Sequence, residues 1–331
     1  MSEKQQAAVA PARKSHFKRF WWLYLIVFLI VAVVIVVPVV LLVAVPKIAQ
    51  DKLNAATLTI DGISVTNARA KSYTMSINST IHADSSVHAT VDAFTGSMYL
   101  TSVDPPLLIS TIEFPQTSTA SVQSVNVTQN IDIADEAAFT TFNEYLLASK
   151  SVNVQVKGDT HVHVSGIARA YGVTFDKTLQ LTGLDGFQGI TVTDAKISLA
   201  TKNNFNGTTH IPNPSILTLD IGNVTFTNYY NGDAIGTTFI KDLVLRPGNN
   251  SFFTNATIEQ LPIIKALTEE PDCRLDGALP FQLSGKDVTN NGDELTYFKD
   301  ALASANQSVI INLKDAAEAV GITPGCVSKS A

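Results

Sequence analysis

From Trp21 to Val45 the chain carries no charged residue, and 19 of these 25 positions are Leu, Ile, Val or Phe. Such a run has few fates. As an α-helix it spans about 37 Å, enough to cross a hydrocarbon core of about 30 Å. It is apolar on every face, so it lacks the polar stripe of a helix at the surface of a soluble domain. A secretory signal would have an apolar stretch of about 7–15 residues and then a small-residue cleavage site. This run is longer and reads as an uncleaved anchor. Phe17, Phe20, Trp21, Trp22 and Tyr24 gather at its N-terminal edge, where aromatic rings favour the interface. Pro38 in its second half predicts a kink, which membrane helices tolerate.

Charge sets the expected orientation. The first 20 residues hold Lys4, Arg13, Lys14, Lys18 and Arg19 against Glu3, whereas the far flank offers Lys47 and Lys52 against Asp51. The positive-inside rule then keeps residues 1–20 cytoplasmic, places a transmembrane helix at 21–45, and translocates the rest to a lumen or the exterior. Asn-x-Ser/Thr acceptors at Asn78, Asn126, Asn206, Asn223, Asn249, Asn255 and Asn306 all lie beyond the anchor. About four would arise by chance in this composition, so they are candidates for glycosylation. The two cysteines, Cys273 and Cys326, are also beyond it. In an oxidising compartment they are expected to pair, the alternative being two unrelated buried thiols.

The formal net charge is −6. Beyond residue 20 the balance is 18 cations against 28 acids, which argues against nucleic acid as a partner. Short alternating segments dominate this region: 58–60, 73–77, 152–156, 161–164, 190–193, 217–221 and 309–311 each place every second side chain on one face. β-Branched residues and Asn-Gly turns punctuate them. The expected fold is mainly β: an N-terminal transmembrane helix, then two tandem antiparallel β-sandwich domains at 46–183 and 190–331, each with a short helix. The glycine-rich stretch 183–189 is the expected boundary.

Two helices are predicted, at about 135–149 and about 293–305, with Asp135 and Asn291 as N-cap candidates. Phe139, Phe142 and Leu146 in the first, and Leu295, Phe298 and Leu302 in the second, share the spacing i, i+3, i+7. A second echo links Val65-Thr66-Asn67 with Ile211-Pro212-Asn213. Together these suggest an internal duplication in which the two helices are equivalent, the alternative being two unrelated domains.

The most specific text runs from Ile211 to Asn250. It reads Ile-Pro-Asn-Pro-Ser (211–215), Asp-Ile-Gly-Asn-Val-Thr-Phe (220–226), Tyr-Tyr-Asn-Gly (229–232), Ile235-Gly236, then Leu-Val-Leu-Arg-Pro-Gly-Asn-Asn (243–250). This resembles an uncharacterised fungal family of single-pass membrane proteins (domain of unknown function 3712). Its tandem β-sandwiches are similar to the type-2 late-embryogenesis-abundant domain. The resemblance implies a fungal endomembrane protein, with the vacuolar membrane favoured and the plasma membrane as alternative. Asn213-Pro214, Gly232, Gly236 and Gly248 are read as turn formers rather than as ligand-binding residues.

Few residues suggest chemistry. His161 and His163 share one face of a strand, but a metal site needs a third ligand and none is nominated. No Gly-x-Ser-x-Gly, His-Glu-x-x-His, dinucleotide fingerprint or phosphate-cradling loop occurs. No catalytic, metal or cofactor-binding residue is therefore expected, and the chain is read as non-enzymatic. An interaction or scaffold module held at the bilayer by residues 21–45 is the first reading. A lipid-binding module with an apolar sandwich cleft is the second. An apolar cavity above about 300 Å³ would favour lipid, and filled cores would favour interaction.

Overall fold

The computed structural model describes residues 16–83, 88–118, 121–199, 202–304 and 307–326, with side chains from residue 21 onward. The chain divides into a helical unit up to Asp51 and a β unit from Lys52.

In the helical unit α1 (His16–Val39) leads through a π-helical turn (Val40–Ala44) into α2 (Val45–Ala55). Proline has no N–H to donate, so Pro38 and Pro46 leave two carbonyls, those of Val34 and Leu42, without their i+4 donors. Between the two prolines the ladder shifts, and the Val45 N–H donates to the Val40 carbonyl. Such a single π turn lets a helix continue where the regular ladder is interrupted. The helix from Trp21 to Ala55 is long and apolar enough to cross a membrane. It outruns the expected end at Val45 by ten residues, because the polar segment beginning at Lys47 stays helical.

The β unit runs β1 (Thr57–Thr66), β2 (Ser72–His82), β3 (Ala89–Val91), β4 (Phe94–Leu100), β5 (Leu107–Phe114), β6 (Thr117–Ser118), β7 (Val122–Asp132), α3 (Glu136–Ala148), β8 (Ser151–Val164) and β9 (Ala170–Thr182). It continues through β10 (Thr191–Ile197), β11 (Phe205–Asn213), β12 (Leu217–Tyr230), β13 (Asp233–Leu245), β14 (Gly248–Ile258) and α4 (Gln260–Thr268). The last elements are β15 (Ala278–Asn290), β16 (Asp293–Glu294), α5 (Thr296–Ser304), β17 (Gln307–Asn312) and α6 (Lys314–Glu318).

The strand pairings reveal two similar halves. In the first, β1 pairs β2, β2 pairs β7, β4 pairs β5 and β8, and β8 pairs β9. In the second, β10 pairs β11, β11 pairs β14, β12 pairs β13 and β15, and β15 pairs β17. Each of these five pairings of the first half has its counterpart in the second, all antiparallel, whereas the β3–β8 and β3–β6 ladders have none. The halves differ in closure. The first is an open sandwich of β1-β2-β7 over β5-β4-β8-β9, with β3 and β6 extending the second sheet from β8. The second gains a β13–β14 ladder and a parallel contact of β10 with β17 at Thr191 and Ile310. Seven of its strands, all but β16, thereby form a closed ring.

This topology corrects the expected helix equivalence. α3 joins β7 to β8, and its counterpart is α4, which joins β14 to β15. α5 instead occupies the β15–β17 connection, where the first half has a direct hairpin. It starts at Thr296, after β16, so Asn291 sits in the preceding turn with φ 50-odd degrees positive rather than capping the helix. The 65–67 and 211–213 echo falls on the ends of β1 and β11, which are not counterparts either.

α3 forms where expected. Asp135 Oδ1 accepts the Ala138 N–H at 3.0 Å and caps the helix. Phe139 and Leu146 are buried, as are Leu295 just before α5 and Phe298 and Leu302 on it, while Phe142 is only half-buried. The two halves share one apolar core. Strand β12 joins them: residues 217–219 run parallel to β1 and residues 223–229 pair antiparallel with β15. The stretch 183–189 is not a loose linker. Leu184 and Phe187 are buried, and the Leu184 and Asp185 amides donate to the Leu146 and Ser149 carbonyls at the end of α3.

Candidate functional site

Alternation along β11 to β17 sends one set of side chains into the ring of the second half. Most are aliphatic, but Thr209, Asn228, Thr238 and Thr254 also point inward and are buried. Buried polar groups need partners. Thr209 and Thr254 share a hydrogen bond of 2.7 Å, and Thr238 Oγ1 donates to Asn228 Oδ1 at 2.8 Å. The Asn228 Nδ2 is left without a partner, although the residue is 3% exposed. Beside it lies an apolar cavity of about 80 Å³, lined by Ile240, Ile263, Leu267, Phe281 and Ile311 among others.

α4 covers one side of this cavity, and the chain after α6 adds Ile322. A disulfide fastens the cover. Cys273 and Cys326 are bridged, with Cα atoms 5.0 Å apart, and the Gly325 amide donates to the Leu267 carbonyl at the end of α4. Next to Cys273, Asp272 accepts from the Tyr230 hydroxyl at 2.5 Å. Burial first, then the bond to and charge of Asp272, hold the Tyr230 phenol well above its usual range. The arrangement is a brace. Sequence reading missed α4 because Pro262 lies in it. Pro262 falls in the first turn, where helix N–H groups have no intrahelical acceptor.

A second cavity of about 90 Å³ lies mainly in the first half, lined by Met75, Ile77, Met98, Phe142 and Phe175 among others, with Leu217, Leu219 and Phe298 of the second half completing it. Both cavities fall below the roughly 300 Å³ of a typical small-molecule pocket.

The histidines and the described glycan acceptors singled out by sequence, unlike the two cysteines, are spread over the strands rather than gathered at one site. His163 Nε2 lies 2.9 Å from Asp92 Oδ2. That hydrogen bond is the main reason the Asp92 carboxyl sits below its usual range. Among the described residues no three His, Cys, Asp or Glu side chains converge to hold a metal. Asn78 and Asn126 are exposed and directly opposite each other on β2 and β7. Asn206 and Asn255 face each other on β11 and β14 in the same way. Asn249 is exposed; Asn223 is half-buried, and its Oδ1 accepts from the Asp242 amide. Asn306 lies outside the described residues, as do Lys4, Arg13 and Lys14. The Asn213-Pro214 turn is structural: Asn213 Oδ1 accepts from the Ser215 amide and hydroxyl, and its Nδ2 donates to the Leu217 carbonyl.

No curated protein matches the chain. Among solved structures, red sea bream transglutaminase aligns over 75% of this chain and 31% of its own length, at 11% identity and a TM-score of 0.21. An adhesin from Mobiluncus mulieris with intramolecular disulfide, isopeptide and ester cross-links aligns over 78% of this chain and 96% of its own, at 10% identity and a TM-score of 0.21. Scores this low carry no functional argument. The family model described as "Protein of unknown function (DUF3712)" matches residues 108–228, from β5 into β12 across the 183–189 connection, and this is the family to which that segment of the chain is similar.

Proposed function

We propose that the chain is a non-enzymatic, single-pass membrane protein whose β unit lies outside the cytoplasm and serves as an interaction or scaffold module. The basic segment before the anchor and the acceptor sites beyond it support this orientation. The resemblance noted in the sequence favours a fungal vacuolar membrane. The observation that carries the interaction reading is the size of the interior cavities, about 80 and about 90 Å³. An acyl chain needs several times that space, which leaves recognition to the outer surface.

Lipid binding is the second reading, favoured by one observation: the unpartnered Asn228 Nδ2 beside an apolar cavity. A photoreactive fatty acid offered to the full-length protein in native membranes separates the two. Labelling inside the second half that is competed by unlabelled fatty acid, and lost in Ile311→Trp, would select lipid binding. Absence of labelling, together with reproducible cross-links from the β unit to one defined membrane protein, supports the interaction reading. Protease access to the β unit from the cytosolic side would reverse the orientation.

A further inference from the structure

Exposed aromatic rings are costly on a free surface, and here two stand together. Phe253 on β14 is 64% exposed and Phe239 on β13 is 40% exposed. Their chain neighbours Thr238, Ile240 and Thr254 point inward and are buried, so both rings lie on the outer face of the ring of strands. The register puts Asn255 between them. It stands two residues beyond Phe253 on the same face and directly across the ladder from Phe239. Directly opposite side chains in a sheet sit about 5 Å apart, and those at i, i+2 on one strand about 7 Å apart. Asn255-Ala256-Thr257 is one of the glycan acceptor sequences.

We propose that Phe253 and Phe239 form a platform for the first sugar of an N-linked glycan on Asn255. A pyranose ring presents a face of C–H groups, which packs against the negative face of an aromatic ring. The sugar would cover apolar surface that otherwise faces water. None of the other acceptors has an aromatic residue two positions earlier in the chain. The residues two positions before Asn78, Asn126, Asn206, Asn223, Asn249 and Asn306 are Ser76, Ser124, Asn204, Ile221, Pro247 and Ser304. Asn255 is therefore the site at which the attached sugar becomes part of the fold. The inference rests on the extracytoplasmic placement of the β unit proposed above.

The test uses the full-length protein made in a eukaryotic secretory host. Site occupancy is read by mass spectrometry, and the thermal midpoint is read from the β-sheet circular dichroism band. Asn255 should be occupied, and Asn255→Gln should lower the midpoint by about 2 °C or more. Trimming to the first sugar with an endoglycosidase should preserve the midpoint. In a background with both Phe253→Thr and Phe239→Thr, Asn255→Gln should have almost no further effect, because the changes remove one shared interaction. Strictly additive shifts would overturn the platform, as would an unmodified Asn255 in protein carrying glycans elsewhere, Asn126 for example. Protein with no glycan at any acceptor would overturn the orientation, and the platform with it.

Discussion

The rings of Phe139 on α3 and Tyr297 on α5 meet edge to face, with centroids 4.9 Å apart and planes at 66°. One residue belongs to each half of the β unit, so this contact belongs to neither half alone. Tyr73 stacks on Phe139 at 5.0 Å, and the Tyr297 hydroxyl donates to the Arg69 carbonyl at 3.0 Å. Replacing Phe139 with Ala should cost about 3–5 kcal/mol. Tyr297→Phe removes only the hydrogen bond and should cost about 1 kcal/mol. Denaturant unfolding of the wild type should show one transition for the whole β unit. Two well-separated transitions would show that the halves fold independently.

Glu136 makes this junction sensitive to acid. Its carboxylate accepts from Lys71 Nζ at 2.5 Å and from the Thr296 hydroxyl of α5. These two bonds, the Lys71 one first, place its pKa below the usual glutamate range. A depressed folded-state pKa contributes stability above the unfolded-state value of about 4.3, and that contribution is lost as pH falls through the lower folded value. The thermal midpoint should therefore fall on acidification below about pH 4.3. Glu136→Gln should start lower at neutral pH and show a shallower fall. Parallel pH profiles for the two proteins would contradict the assignment.

The Cys273–Cys326 bridge closes a loop with a sequence separation of 53 residues. In the chain-entropy model such a loop is worth about 4 kcal/mol, less any native strain. Because the bridge fastens the cover of the second-half cavity, its loss should do more than lower stability. Cys273→Ser with Cys326→Ser should increase binding of an environment-sensitive apolar dye under conditions where the far-ultraviolet spectrum is unchanged. Unchanged dye binding would mean the cover holds without the bridge.

Gly183 has no room for a side chain. A Cβ there would lie 2.1 Å from the Ser149 carbonyl oxygen and 2.9 Å from that of Leu146. Both are backbone atoms at the end of α3 and cannot swing aside. Gly183→Ala should destabilise by about 2 kcal/mol or more, whereas Gly166→Ala, in open space but at φ +84°, should cost only about 1 kcal/mol. Chemical denaturation of both variants checks the difference.

Local signals carried much of the fold, and nonlocal ones did not. Asp135 followed by Phe139 and Leu146 specifies a capped, amphipathic α3 from sequence alone. The apolar run at 21–45 specifies a long helix, yet its continuation to Ala55 depends on a π turn between two prolines that no periodicity encodes. The predicted helix at 293–305 was too long because Asp293 and Glu294 pair with Asn290 and Thr289 in a two-residue ladder. α4 was hidden by Pro262, which usually marks a break. The equivalence of α3 with α4 emerges only from which strands pair. As for the candidate site, Cys273 and Cys326 were legible as the only two cysteines. The facing of Asn255 with Phe239 was not, because register between strands depends on turns and core filling together.

Strand β12 has a consequence in time. Residues 63–65 of β1 have no partner on that edge until residues 217–219 arrive, about 150 residues later in synthesis. At roughly 5–20 residues per second the interval is roughly 8–30 s. For that period the nascent first half exposes an unsatisfied strand edge, which makes it a client for whatever holds incomplete sheets apart in its compartment. Cross-linking of ribosome-bound chains stalled before and after residue 219 would register the moment that edge is closed.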